Sequence, residues 1–285
     1  MSEPLPNPLP LARALAKLSR PQNIVYSGAL AALSSYLFTE SFPVSVSSYF
    51  FIFLLYAVSA TYNNLKDIRT DTINHRTDNP LINKGLSRGQ AQIFLAAAVL
   101  FLICTQLLLS QPSSLLIACL YMLLLYLYSG RPNFKSQSWL GVIILAVCYG
   151  GLPIILGYAQ SDPSTYTKIL IGSALNSLVL LPILLAKDYK DVKGDRATGI
   201  RTPLVTHGPK TIRVVALTIS LLASLCLWQV IGGIAHLLIY TPLAALYVVY
   251  TYYLHARKGN IQPIYAKAGT IILLLMSLSI VWSIH

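Results

Sequence analysis

Residues 178–195 read "LVLLPILLAKDYKDVKGD": an apolar run passes directly into a segment with three aspartates. The whole chain of 285 residues contains only nine Asp and Glu, so a third of its acidic charge lies at the end of this run. Charged residues make up 11% of the chain and hydrophobic residues 55%, whereas soluble domains are about a quarter charged. The composition predicts a polytopic membrane protein whose acidic groups lie at the ends of its spans.

Apolar segments of membrane-spanning length recur along the chain, since a bilayer core needs about 20 mostly apolar residues per helix. We read nine of them: 22–39, 48–65, 91–110, 113–129, 138–159, 168–187, 211–231, 235–254 and 264–284. All are expected to be helices, because hydrocarbon cannot satisfy an open strand edge. The predicted fold class is therefore an all-α protein with nine transmembrane helices in a single domain, 22–285. Residues 1–21 are predicted to form an amphipathic segment at the membrane interface.

The basic charge has a one-sided distribution. The net charge of +12 raises the possibility of a nucleic-acid partner. With nine spans, however, 20 of the 21 Lys and Arg fall in the N-terminal segment and in loops on the same side. The positive-inside rule accounts for this pattern and places the N-terminus in the cytoplasm. We therefore expect no nucleic-acid partner, an integral multi-pass location, and the plasma membrane if the cell is bacterial or archaeal.

Two acidic clusters lie on that same side, "NNLKDIRTD" (63–71) after the second span and "KDYKDVKGD" (187–195) after the sixth. Helical spacings of i, i+4, i+8 and i, i+3, i+7 put the carboxylates of each cluster on one stripe. Like charges about 4 Å apart repel by on the order of 4 kcal/mol at an effective dielectric constant near 20. Helix C-termini also disfavour anions, so the arrangement requires cations.

The cations could come from the protein or from solution. Interleaved lysines and arginines could form surface ion pairs, which are worth at most about 1 kcal/mol each; a solvated charged face is thus one interpretation. The other is Mg²⁺, which is held by one or two carboxylates and completed by water and substrate phosphate. Two facing stripes would hold two ions and leave coordination positions open for a diphosphate.

The motifs that carry these aspartates resemble those of the UbiA superfamily of intramembrane prenyltransferases. Residues 63–71 are similar to the family's NDxxDxxxD motif, and 188–195 to its DxxDxxxD motif. "YSGRPNFK" (128–135), "RATGIRTPLVTHG" (196–208) and "RPQN" (20–23) are similar to further family segments.

The resemblance implies a ring of nine helices around a central cavity that opens to the lipid. It implies a Mg²⁺-dependent transfer of a prenyl group from a prenyl diphosphate to a small aromatic or lipid acceptor. The catalytic candidates are Tyr128, Lys135, Asp67, Asp71, Asp191 and Asp195. The metal-ligand candidates are Asp67, Asp71, Asp188, Asp191 and Asp195. The substrate-binding candidates are Arg20, Asn23, Asn63, Asn64, Arg76, Arg131, Lys187, Asp188 and Arg196.

The chain departs from the family pattern at two places. Asn64 stands where many members have Asp, and Asp78 and Asn79 stand in place of the usual "NRP". The alternatives are a catalytically weak prenyl-lipid-binding relative, which Asn64 would allow, and a cation transporter or channel. Transporters place ionisable groups near the bilayer midplane, whereas these acids lie at span ends. The "RPQN" and "KDVKGD" segments resemble the branch that acts on glycerol-phosphate lipids, homogentisate or chlorophyllide.

Overall fold

The computed structural model of the chain describes residues 11–21, 24–76, 78–83, 85–109, 112–159, 166–230 and 234–285. Within these ranges the regular secondary structure is helical and there is no strand. One isolated parallel β-bridge joins Gln137 to Arg201. The α-helices are α1 Leu11–Ser19, α2 Val25–Thr39, α3 Phe42–Lys66, α4 Ile68–Ile73, α5 Arg88–Leu109, α6 Pro112–Ser129, α7 Trp139–Ala146, α8 Leu152–Tyr158, α9 Tyr166–Lys187, α10 Val192–Thr198, α11 Pro203–Val230, α12 Ile234–Ala256 and α13 Pro263–Ile284.

Six helical segments of the described chain are long and apolar enough to cross a bilayer. They are Phe42–Lys66, Arg88–Thr105, Trp139–Tyr158, Tyr166–Lys190, Pro203–Val230 and Pro263–Ile284. The other three predicted segments fall on α2, α6 and α12. The chain is an integral multi-pass membrane protein; a total of nine crossings and the orientation of the N-terminus stay predictions.

Helix α9, which carries the apolar run 178–186, packs against α7, α11, α12 and α13. The close contacts use small residues, as is usual where helices associate without a hydrophobic driving force. A Cβ at Gly157 would come within 2.6 Å of the backbone nitrogen of Ser35, so α8 and α2 are packed backbone to backbone there. The contacts of α9 fix the helix whose polar end carries the second acidic cluster.

A five-residue π-helical turn, Val147–Gly151, separates α7 from α8. Two of its carbonyl groups accept hydrogen bonds from side chains of α2 and α9. Ser27 Oγ donates to the Tyr149 carbonyl at 2.8 Å, and Asn176 Nδ2 donates to the Gly150 carbonyl at 2.8 Å. Such turns are frequent at functional sites. Here the turn brings Tyr149 into the cavity described below.

Helix α1 shows the amphipathic pattern predicted for the N-terminal segment. Ala14 and Leu18 are fully buried and pack in a cluster with Leu86 and Ala91, while Leu11 is exposed. The apolar face of α1 is therefore partly covered by other residues of the protein. The interfacial placement of 1–21 stays a prediction, and residues 1–10 lie outside the described chain.

The residue spacings predict that the carboxylates of each acidic cluster lie on one stripe of a helix, but neither cluster is carried by a single continuous helix. Helix α3 ends at Lys66, and Asp67 (φ −89°, ψ 5°) joins it to α4. Similarly, α9 ends at Lys187, and the 3₁₀ turn Asp188–Lys190 leads into α10. Aspartate is a poor helix former, and a helix C-terminus disfavours its charge. Both segments are therefore broken at an aspartate.

Candidate active site

A cavity of about 430 Å³ lies within the bundle. At one end its wall is charged and combines the aspartates of both acidic clusters with five basic side chains. The rest of the wall is largely apolar and aromatic. That part includes Tyr26, Tyr56, Ala60, Leu125, Leu145, Tyr149, Leu180, Ile183, Leu184 and Leu273. The shape suits an amphiphile with an anionic head and an apolar tail.

In the first cluster, Asp67 accepts two hydrogen bonds on one carboxylate oxygen. Lys135 Nζ donates to Asp67 Oδ2 at 2.6 Å, and Asn63 Nδ2 donates to the same oxygen at 2.8 Å. The Asn63 amide is itself oriented, because Ser129 Oγ donates to its Oδ1 at 2.8 Å. Asp67 is thus fixed by groups from α3, α6 and the loop before α7.

Lys135 reaches the cavity from a loop that is tied to a second loop. The backbone N–H of Ser138 donates to the Arg201 carbonyl at 2.7 Å, which joins the segment before α7 to that before α11. Burial of Lys135 disfavours its charged form, but the adjacent Asp67 carboxylate outweighs this and the pKa of Lys135 is raised. The lysine is therefore a fixed cation in the cavity wall.

Asp71, the other acid of the first cluster, has an amide partner. Asn79 Nδ2 donates to Asp71 Oδ2 at 2.8 Å. Burial raises the pKa of Asp71, the bond from Asn79 opposes the rise, and the charge of Asp67 adds to it. Asp71 is not among the ion pairs of the described residues.

In the second cluster, two aspartates are paired with cations. Lys187 Nζ lies 2.6 Å from Asp188 Oδ1 and also donates to Tyr128 Oη at 3.4 Å. Arg76 Nη1 lies 2.7 Å from Asp191 Oδ1. Arg76 also forms a two-pronged pair with Asp78, whose pKa is lowered to about 2, chiefly by that hydrogen bond. The Arg76–Asp191 pair joins segments 115 residues apart, and the side chains of Arg76 and Asp191 are 11% and 22% exposed, so this ion pair is not a simple surface pair.

Asp195 differs from its neighbours. Its side chain is buried, and Oδ1 has no hydrogen-bond partner. Burial, reinforced by the charges of Asp188 and Asp191, raises its pKa to about 7, although Lys135 acts in the opposite direction. An unsatisfied buried carboxylate oxygen costs free energy, and a hard divalent cation would satisfy it.

The carboxylates of the cavity fit Mg²⁺ as parts of a site that substrate would complete. In the described ranges, no three Asp, Glu, His or Cys side chains are close enough together to form a metal-binding group by themselves. Mg²⁺ is ordinarily held by only one or two carboxylates together with substrate phosphate. Asp71 and Asp195, which are free of ion pairs here, fit that requirement.

The two acidic segments touch through α4 and α10. The Gly194 N–H donates to Asn74 Oδ1 at 2.7 Å, and Asn74 Nδ2 donates to the Asp191 carbonyl at 3.2 Å. A Cβ at Gly194 would lie 2.6 Å from the Thr70 carbonyl oxygen. Glycine at this position therefore allows the segments to approach closely enough to share one cavity.

Several predicted substrate-binding residues do not line the cavity. Asn64 is fully buried behind it, where it accepts a hydrogen bond from Arg20 and donates to the Leu18 carbonyl at 3.0 Å. Arg131 and Arg196 are exposed and absent from the lining. Asn23 lies outside the described residues. The other predicted site residues, including Arg20, are part of the lining.

The sequence interpretation did not include three residues that the structure places at the site: Asn79, Lys190 and Tyr149. Asn79 precedes a proline in the loop after the first acidic cluster, and a polar residue at that position could have indicated a site residue. Lys190 lies between two aspartates, where the sequence offers it only as one of the interleaved cations that could form surface ion pairs. Tyr149 carried no distinguishing signal, because a π-helical turn is not visible in an apolar sequence.

The fold and the site together define a helical membrane protein with a cavity that is charged at one end. The model of the UbiA prenyltransferase family matches residues 24–272. The chain therefore belongs to the UbiA prenyltransferase family, as its two acidic motifs predicted.

Individual relatives agree with this assignment. The digeranylgeranylglyceryl phosphate synthase of Methanoregula boonei is 30% identical over 206 residues, which cover 72% of this chain and 72% of that protein. The chloroplastic chlorophyll synthase of Oryza sativa subsp. japonica is 36% identical over 92 residues. That match covers 32% of this chain and only 24% of the chlorophyll synthase.

A solved structure shares the fold. The UbiA homolog from Archaeoglobus fulgidus bound to GPP and Mg²⁺ superposes with a TM-score of 0.72 at 19% sequence identity. The superposition covers 95% of this chain and 99% of the homolog.

Proposed function

We propose that this protein transfers a prenyl group from a prenyl diphosphate to a small aromatic or lipid acceptor within the membrane, with Mg²⁺. The observation that carries the proposal is Asp195, a buried carboxylate with an unsatisfied oxygen at the charged end of an apolar cavity. The A. fulgidus homolog bound to GPP and Mg²⁺ supports the choice of ligands.

The charged end would bind the diphosphate head. Lys135 and Lys187 each line the cavity, and so does Tyr128, whose hydroxyl lies 3.4 Å from Lys187 Nζ. A diphosphate leaving group carries about three negative charges, so preorganised cations are expected to provide the largest stabilisation. When the diphosphate displaces a carboxylate from a lysine, the ammonium stays in place and loses no hydrogen bond.

The carboxylates divide into two groups. Asp71 and Asp195, one from each cluster, would be the first ligands of two Mg²⁺ ions; Asp67, Asp188 and Asp191 would complete the site as substrate replaces their protein partners. Bound Mg²⁺ supplies positive charge that stabilises the departing diphosphate. The role of Asn63 and Ser129 is to hold Asp67 in position.

The apolar part of the cavity would hold the prenyl tail and exclude water from the reacting carbon. The aromatic rings of Tyr56 and Tyr149 lie in this wall with their centroids 5.3 Å apart. A dry wall prevents water from capturing a reactive allylic cation. The proposal includes a nine-helix ring formed by 22–285, with its charged end at the cytoplasmic face of the plasma membrane of a bacterial or archaeal cell.

A direct test uses the purified protein, a radiolabelled prenyl diphosphate, and a panel of aromatic, hydroxylated and phosphorylated acceptors. The expected result is a prenylated product that forms with Mg²⁺ and is abolished by EDTA. The Asp195→Asn protein should bind far less donor. Turnover that survives EDTA, or donor binding that is unchanged in Asp195→Asn, would contradict the mechanism.

The same preparation distinguishes the other classes considered from the sequence. Mg²⁺-dependent binding of the donor without product for any acceptor would indicate a lipid-binding relative. Metal-driven ion flux in liposomes, with neither donor binding nor product, would indicate a transporter.

A further inference from the structure

Two side chains that line the cavity beyond its charged end, Ser59 and Tyr149, have hydroxyl groups that make no hydrogen bond to the part of the chain that the structure describes. Other hydroxyls of this wall are satisfied by the protein: Tyr26 Oη lies 2.8 Å from Ser277 Oγ, and Ser27 Oγ donates to the Tyr149 carbonyl at 2.8 Å. A hydroxyl group that is removed from water without a partner costs free energy. The hydroxyls of Ser59 and Tyr149 therefore point to a ligand with a polar group in the otherwise apolar part of the cavity.

Ser59 lies on the face of α3 that leads from the charged end into the apolar part of the cavity. Ser59, Asn63 and Asp67 are spaced i, i+4, i+8 and all line the cavity, as expected for residues on one face of a helix. At about 1.5 Å of rise per residue, Ser59 is about 6 Å along the helix from Asn63 and about 12 Å from Asp67. A donor whose diphosphate is bound at Asp67 would therefore have the first carbons of its prenyl chain near Ser59.

Tyr149 approaches this face of α3 from the π-helical turn. Its ring packs against that of Tyr56, which precedes Ser59 by one turn of α3, with the ring centroids 5.3 Å apart. The turn itself is packed tightly against α9, because a Cβ at Gly151 would lie 2.7 Å from Ser173 Oγ. The Tyr149 ring is thus held in place before a ligand binds, and a preorganised group loses little entropy on binding.

We propose that Ser59 and Tyr149 form a subsite that binds a neutral hydroxyl group of the acceptor beside the first carbons of the prenyl chain. The inference rests on the proposed prenyl transfer and narrows its acceptor to a hydroxylated compound. Serine and tyrosine hydroxyls each donate one hydrogen bond and can accept others, which matches an alcohol or a phenol. This subsite recognises the acceptor separately from the cations at the charged end of the cavity.

The first experiment measures binding to protein that is loaded with Mg²⁺ and geranyl S-thiolodiphosphate, an unreactive analogue of the donor. The probes are radiolabelled 4-octylphenol and octylbenzene, which lacks the hydroxyl group. Ser59→Ala and Tyr149→Phe each remove one oxygen atom and should weaken the binding of octylphenol about fivefold, the loss expected for one neutral hydrogen bond. Octylbenzene should bind equally to all three proteins. Because each probe is compared between proteins, its partition into detergent cancels.

Two matched variants control for the loss of a hydroxyl group elsewhere. Ser47→Ala changes an exposed serine of α3, and Tyr252→Phe changes an exposed tyrosine of α12. Both should bind octylphenol as the wild type does. Equal affinity of octylphenol for the wild type, Ser59→Ala and Tyr149→Phe would overturn the inference, and so would an equal loss in the controls. Absence of Mg²⁺-dependent binding of the thiolodiphosphate to the wild type would instead contradict the proposed function itself.

Turnover with a hydroxylated acceptor of the panel assigns the two hydroxyls to the acceptor or to the donor. Ser59→Ala and Tyr149→Phe should each raise the KM for the acceptor about fivefold and leave the KM for geranyl diphosphate within twofold. A rise in the donor KM alone would assign the two hydroxyls to the prenyl chain. Release of geraniol in place of the prenylated product, with both KM values unchanged, would show that they exclude water. Either of these two results would overturn the inference while leaving the prenyl transfer intact.

Discussion

The two acidic segments are built on the same plan but satisfy their charges differently. In α3–α4, amides contact both aspartates: Asn63 donates to Asp67, and Asn79 to Asp71. In the α9–α10 segment, cations pair with two aspartates, and the third, Asp195, keeps an oxygen without a partner. Residue spacing therefore determines where the carboxylates lie, whereas the surrounding partners determine which of them is available to a ligand.

The largest effect is expected within the second segment itself. Asp195→Asn removes the charge that has no protein partner and should lower turnover about 10³-fold, within the range for loss of one electrostatic stabiliser. Asp188→Asn removes an acid that already has Lys187 as partner and should cost about tenfold. Turnover at saturating donor and Mg²⁺ measures both. An equal loss of turnover in the two variants would show that ion pairing within the protein does not determine which aspartate is available to the ligand.

The first segment depends on Lys135 for its only ion pair in the described chain. Lys135→Gln leaves Asp67 charged and largely buried; the expected cost is about 3 kcal/mol of stability, with about a 100-fold loss of turnover. The double change Lys135→Gln with Asp67→Asn should restore thermal stability but not turnover. Lys193→Gln, which changes an exposed lysine outside the cavity lining, is the control. A double variant as unstable as the single one would contradict the buried-pair argument.

Much of the arrangement of the two acidic segments could be predicted from the sequence. Composition and apolar run length predicted the membrane-length helices, and the i, i+4 and i, i+3 spacings predicted that the aspartates of each segment share a face. That the two segments line one cavity was implied by the family resemblance. The partners could not be predicted, because Lys135 and Asp67 are 68 residues apart and their contact depends on how α3 packs against α6, which precedes the Lys135 segment. Neither could the helix break at Asp67, where local charge outweighs helical periodicity.

Asn64 shows a different limit of sequence interpretation. Its position in the first motif predicted contact with substrate, yet it faces α1 and holds Arg20. Adjacent residues on a helix differ in direction by about 100°, so Asn63 faces the cavity and Asn64 faces away. A motif written as a string of letters does not record this difference.

The pH dependence of stability should separate the two segments further. The folded-state pKa of Asp195 is about 7, above the ordinary value of 3.8, so the folded protein binds its proton more tightly. Without metal, its contribution to stability is present below pH 4 and is lost as the pH rises to about 7. Melting in EDTA from pH 4 to 8 should show this fall in the wild type and a flatter curve in Asp195→Asn.

Mg²⁺ provides the converse measurement, because ligand and proton compete for the same carboxylate. The increase in melting temperature on adding Mg²⁺ with donor should grow as the pH rises towards about 7, and Asp195→Asn should abolish that growth. An identical pH profile in both proteins would show that Asp195 does not bear the proton.

The contact between the segments can be weakened without touching a carboxylate. Gly194→Ala places a Cβ 2.6 Å from the Thr70 carbonyl and against Asn74, so α4 and α10 must separate. Turnover should fall about tenfold through a higher Mg²⁺ requirement, the scale expected when a supporting contact outside the ligands is lost. Gly89→Ala, which has nothing within 4 Å of its Cβ, is the control. A normal Mg²⁺ requirement in Gly194→Ala would mean that the segments work independently.

The smallest effect concerns the support behind the second segment. Buried His255 of α12 contacts the Pro182 carbonyl through Nε2 at 2.9 Å and the Tyr189 hydroxyl through Nδ1 at 3.3 Å. Because a carbonyl only accepts, Nε2 carries the proton and Nδ1 accepts from Tyr189.

Tyr189 lies between Asp188 and Asp191, so this bond steadies the turn that carries them. Tyr189→Phe removes the hydrogen bond to His255, which contributes about 1 kcal/mol to the stability of this turn. We therefore expect about a fivefold rise in the Mg²⁺ concentration for half-maximal turnover. Tyr252→Phe changes an exposed tyrosine of the same helix as His255 and should have no effect. A fivefold loss of turnover at saturating Mg²⁺, with the requirement unchanged, would place Tyr189 in the chemistry instead of behind it.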